Sequence, residues 1–139
     1  MNRMFLFAGG LLNLALGCFK IIMPYLFQWR ESMGGSPASM WSTLFAENLA
    51  ISMLMLFFAY MSIFHWRALL LTSLGKVVML AISVLFIYRA GVEILVYRVG
   101  VDGAWWRVIL FLVVALAYLA PLTTAMRAAR RLTKTPLAS

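Results

Sequence analysis

Runs of about 20 apolar residues recur along this chain, separated by short clusters of charge, glycine and tryptophan. At 1.5 Å per residue, a helix of that length crosses a hydrocarbon core of about 30 Å. Four such runs stand out, at approximately 4–27, 42–64, 68–88 and 108–126. No alternating stretch of about ten residues occurs, which argues against a membrane β-barrel. The pattern predicts an all-α membrane protein, a bundle of four transmembrane helices in antiparallel up-and-down order, forming one domain followed by a basic tail over 127–139.

The connections support that order. Met33, Gly34, Gly35, Ser36 and Pro37 cannot easily continue a helix and mark an exposed loop. Only His65, Trp66 and Arg67 join the second run to the third, so these two should form a tight antiparallel hairpin. Trp29, Trp41, Trp66, Trp105 and Trp106 all fall near run ends, where indole rings prefer the headgroup layer. The stretch 89–107 is ambiguous, being too apolar for a loop and too charged for a lipid-facing span. A continuation of the third helix to Val99 is the first reading, with Arg89 and Glu93 one turn apart and a turn at Val101, Asp102 and Gly103. A membrane-surface helix and a β-hairpin through Asp102 and Gly103 follow it.

Composition agrees with a bilayer environment. Hydrophobic residues make up 65% of the 139 residues and charged residues 12%, against roughly 45–50% and about 25% in soluble domains. The net charge of +8 is carried by basic residues near helix ends, so it implies lipid headgroups as partners, not nucleic acid. Arg3, Arg67, Arg127, Arg130, Arg131 and Lys134 fall on one side of the spans, and Arg30, Arg89, Arg98 and Arg107 on the other. The positive-inside rule then places both termini in the cytoplasm. One cysteine and one histidine exclude an intrachain disulfide and a Cys/His zinc cluster, and neither metal nor cofactor is expected. Arg3, the first apolar run and the sequence through Cys18 look somewhat like a lipoprotein cleavage site. The run continues through Ile21, Ile22 and Met23, so Cys18 is expected to be a small buried packing residue.

Charges inside the spans cost a few kcal/mol and need explaining, and three are present: Lys20, Glu47 and Lys76. Lys20 and Glu47 lie within about 3 Å of one another in depth, near enough to pair or to line a pocket. Lys76, about nine residues into the third run, is deeper than snorkelling reaches comfortably. Stripes of small and polar residues mark protein-facing surfaces: Gly10, Asn13, Gly17, Lys20 and Pro24; Asn48, Ser52, Ala59 and Ser62; and Thr72, Lys76, Met79 and Ser83. The fourth run is almost free of polar residues and is expected to face lipid or another protein most broadly. His65 is a candidate ligand for a porphyrin metal, set against the reading of a wet interfacial histidine. No phosphate loop, nucleophile elbow or carboxylate pair suggests catalysis, so no enzyme is expected.

Gly9, Gly10 and Gly17 in a first helix ending near Pro24, Glu47 opening the second, the tight second hairpin and the basic tail together resemble the small DoxX-like bacterial membrane proteins. That resemblance is architectural; it implies a four-helix bundle in a bacterial inner membrane and carries over no catalytic residue. The expected role is a non-catalytic subunit or stabilising factor of a larger inner-membrane complex, in contact with lipids and with other subunits or copies of itself. The alternative is a small oligomeric transporter, or a lipid- or quinone-binding protein, using Lys20, Glu47 and Lys76.

Overall fold

The computed structural model describes residues 2–32, 38–95 and 105–132. They form α1 (Asn2–Leu26), a single turn α2 (Trp29–Ser32), α3 (Ala38–Phe64), a short α4 (Trp66–Leu71), α5 (Ser73–Leu95) and α6 (Trp105–Leu132). Four of these, α1, α3, α5 and α6, are long and apolar enough to cross a membrane, and the chain is an all-α, multi-pass membrane protein. We call the end where α1 begins and α6 finishes proximal, and the opposite end distal.

The four long helices do not close into a ring. α1 packs along α3 and also along α6, and α6 packs along α5, whereas α3 and α5 have little direct packing between them. Below them, α4 lies across the proximal end and touches α1, α3, α5 and α6. Lipid tails are as apolar as leucine, so association here depends on close packing and interhelical hydrogen bonds. The glycines of α1 supply the first. A Cβ on Gly10 would lie 2.9 Å from Ile63, and one on Gly17 would lie 3.0 Å from Leu56, both on α3, while one on Gly9 would meet the Tyr118 ring of α6 at 2.9 Å. Gly10, Asn13, Gly17 and Pro24 are buried and Lys20 is half-buried, so the α1 stripe faces the bundle as its spacing predicts. The α3 stripe, Asn48, Ser52, Ala59 and Ser62, is buried throughout.

A chain of hydrogen bonds crosses three helices in the core. Asn13 Nδ2 donates to Tyr118 Oη at 2.9 Å and to the Gly9 carbonyl at 3.0 Å. Ser62 Oγ donates to the Phe58 carbonyl, which leaves the Tyr118 hydroxyl as donor in the 2.7 Å contact between the two. Helices α1, α3 and α6 are thereby tied at one point. Between α5 and α6, Ser83 Oγ reaches the Ala115 carbonyl at 3.3 Å.

Several boundaries and faces differ from those the sequence suggests. The third span starts at Ser73 and not at Ala68, because the chain leaves helical geometry at Thr72 (φ −93°, ψ 152°). Thr72 Oγ1 accepts the Gly75 N–H at 2.9 Å, an N-cap bond that starts a new helix. At its other end α5 runs past Tyr88 to Leu95, in the direction of the expected extension, and the turn at 101–103 lies outside the described residues. Helix α6 is the most buried span, not the most lipid-exposed: 44% of its apolar window is buried, against 28% for α1. Val114, Ala115, Tyr118 and Leu122 fill the core from it. In a bilayer both the core face and the lipid face are apolar, so a lack of polar residues does not distinguish them. Cys18 is exposed, where a buried packing residue was expected; Gly17 takes the protein-facing position beside it.

Candidate functional site: a polar-ended cleft at the distal end

Pro24 sits inside α1 and has no N–H, so the carbonyl of Lys20, four residues earlier, loses its helical partner. Asn48 of α3 supplies the missing donor: its Nδ2 lies 2.6 Å from the Lys20 carbonyl oxygen. The depth match between residue 20 and residues 47–48 is therefore real, but it is made through backbone and Asn48. Among the described residues, Lys20 and Glu47 form no ion pair with each other. Glu47 stands one residue, about 100° of helix rotation, from Asn48 and remains exposed.

What Lys20 and Glu47 share is a cavity. The gap between α3 and α5 opens in the distal half of the bundle as a cleft of about 420 Å³. Its deep walls are Met55, Phe58, Phe86 and Phe111, and its distal end carries Lys20, Glu47, Asn48, Arg89 and Trp29. Ile51, Leu85 and Tyr88 are exposed at its mouth, where the bundle surface meets lipid.

Arg89 is held in place from behind. Its Nη2 lies 2.6 Å from Glu93 Oε1, the one-turn pair the sequence spacing predicts, and its guanidinium carbon lies 5.6 Å from the Phe111 ring centroid, within cation–π range. Glu93 is 2% exposed and has a second cation, Arg107 of α6, at 3.6 Å from Oε2. One buried carboxylate thus sits against two guanidinium groups from different helices, and a positive balance remains at the distal end of the cleft. No protein-family model, curated protein or solved structure matches this chain.

The remaining candidates lie elsewhere. Lys76 is in the first turn of α5, about 5 Å from its start, and is half-buried. The depth of nine residues expected from an earlier helix start does not exist, because Thr72 interrupts the helix, and snorkelling is sufficient to explain the residue. Asn13 belongs to the core knot with Tyr118. His65 is exposed between α3 and α4, where Nε2 meets Tyr60 Oη at 3.1 Å, and among the described residues no cluster suited to a metal accompanies it. Trp41, stacked edge-on against Phe45, lies at the distal end with Trp29, Trp105 and Trp106, while Trp66 is proximal; all five are at bundle ends as expected. Sequence reasoning did not assign Arg89, Glu93 and Arg107 to a site. The spacing of the first two was visible, but the approach of Arg107 across the α5–α6 pair was not.

Proposed function

We propose that this protein is a non-catalytic membrane protein that holds one lipid-like amphiphile in the distal cleft, with an anionic headgroup against Lys20 and Arg89 and an apolar tail between α3 and α5. The observation that carries this reading is the polarity gradient of the cleft: two cations, Lys20 and Arg89, against one carboxylate, Glu47, at the distal end and aromatic and aliphatic walls deeper in, with a mouth toward lipid. Its volume lies in the range of about 300–1,000 Å³ typical of small-ligand sites. A helix about 10 Å across fills roughly 420 Å³ in a single 5.4 Å turn, so the cleft suits an alkyl chain better than a spanning helix of a partner subunit. A through-passage for transport is also disfavoured. The Asn13–Tyr118–Ser62 knot and α4 occupy the route toward the proximal end.

In this reading the proximal end faces the cytoplasm of a bacterial cell, supported by the sequence count of six basic residues outside the spans on that side against four on the other. Extraction in mild detergent followed by native mass spectrometry tests the function. One amphiphile per chain is expected, with retention falling at least about tenfold in Lys20→Met, the scale of a lost charged hydrogen bond. Leu85→Trp, which fills the mouth, should empty the site while the protein still unfolds at its usual temperature. A wild-type chain with no bound amphiphile, or one that always carries a second protein at fixed stoichiometry, overturns the reading.

A further inference from the structure

We propose that the proximal end carries a separate site, built from Arg3, Trp66 and Arg67, for the phosphate of an anionic membrane phospholipid. The guanidinium carbons of Arg3, on α1, and Arg67, on α4, lie 5.2 and 5.3 Å from the centroid of the same Trp66 ring. Together with Phe64, His65 and Ala68 they bound a shallow hollow of about 500 Å³ at the joint between α3 and α4. Two cations from different helices are gathered about one indole, in the position along the bundle where indoles meet headgroups.

The charge balance indicates what completes this cluster. Among the described residues the acidic side chains are Glu31, Glu47 and Glu93, and each lies toward the distal end of the bundle. The 25 residues of α1 separate the two ends by about 37 Å, far beyond ion-pair distance. Among the described residues no acidic side chain faces Arg3 and Arg67, and their mutual repulsion favours a bound anion. A phosphodiester meets that need, since it presents oxygens in the geometry a guanidinium fork recognises. Trp66 orients the forks, and the exposed Phe64 adds an apolar surface at the edge of the hollow. A phospholipid with no headgroup cation leaves its full negative charge for the pair, so an anionic lipid is favoured over a choline lipid. This site is independent of the occupant of the distal cleft.

The test uses the full chain in nanodiscs of phosphatidylglycerol mixed with phosphatidylcholine, with bound lipid read by native mass spectrometry after release. Arg3→Gln and Arg67→Gln, both at exposed positions, should each lower phosphatidylglycerol retention at least about tenfold, the scale of a lost hydrogen bond to a charged group. Arg67→Lys, which keeps the charge and loses the fork, should fall between wild type and Arg67→Gln. Arg127→Gln, on the same side but outside the hollow, loses only diffuse attraction and should lower retention by no more than about fivefold. Equal losses in Arg127→Gln and Arg3→Gln would mean diffuse attraction alone and overturn the proposal. So would equal retention of the two lipids, or displacement of the lipid by inorganic phosphate at matched ionic strength, which would assign the hollow to a soluble anion.

Discussion

Substituting Gly75 with alanine should destabilise this protein in a way that the same substitution sixteen residues later does not. A Cβ at position 75 would lie 2.4 Å from the Ala68 carbonyl oxygen, 2.4 Å from Leu69 Cα and 2.6 Å from the Leu69 carbonyl oxygen. All three are backbone atoms, so no rotamer change relieves the contact. To reach the 3.4 Å of ordinary contact, α4 must move about 1 Å from the first turn of α5. That movement pulls on the fully buried Leu69 and on the Thr72 cap. Overpacking of this kind costs about 1–3 kcal/mol, against a helix-propensity gain from Gly→Ala of up to about 1 kcal/mol. Gly91, in the same helix, has nothing within 4 Å of the place a methyl would take, so Gly91→Ala collects the propensity gain alone. The propensity gain is common to both, so the two variants should differ by the overpacking cost of about 1–3 kcal/mol, read from reversible unfolding in mixed micelles or from thermal melts followed by circular dichroism. If Gly75→Ala melts at or above Gly91→Ala, the close α4–α5 approach is wrong.

Other expectations concern the polar contacts. Asn48→Ala should cost about 1 kcal/mol by orphaning the Lys20 carbonyl, and Pro24→Ala should rescue most of it by restoring a helical N–H; additive effects in that double-mutant cycle would refute the link. Tyr118→Phe removes the hydroxyl that joins Asn13 to Ser62, and a loss of about 1–2 kcal/mol in the same unfolding assay is expected. Glu93→Gln leaves Arg89 and Arg107 without their shared carboxylate. A loss of about 2 kcal/mol is expected, less than for a fully buried pair because both arginines are about one-third exposed, and an unchanged midpoint would show the pair to be inert.

The spans and their polarity were legible because hydrocarbon thickness imposes a length that few other constraints produce. The glycine stripe of α1 was legible for a related reason: in lipid, small residues mark where backbones approach. Two properties were hidden. A helix break such as the one at Thr72 leaves hydropathy unchanged, since Leu69, Leu70 and Leu71 are as apolar as the residues that follow; this is why Lys76 looked deep. The burial of α6 was hidden because its lipid-facing and protein-facing residues have the same character. For the candidate site, Lys20, Glu47 and Asn48 could be placed at one depth from residue counts. Which of them touch depends on helix rotation and on the proline that frees the Lys20 carbonyl. The Arg107–Glu93 approach depends on how α5 and α6 pair, and residue spacing carries no record of that.

Among the described hydrogen bonds, none joins α3 to α5, while α1 is tied to α3 and α6, and α6 to α5. The molecule is in effect two leaves sewn along the α1–α6 spine. Spreading the free edges therefore sacrifices mainly dispersion contacts, so the in-plane area of the distal half is softer than that of the proximal half. Bilayer tension, or a change in the average shape of surrounding lipids, therefore acts on this protein asymmetrically, widening one leaflet's footprint while the other stays fixed.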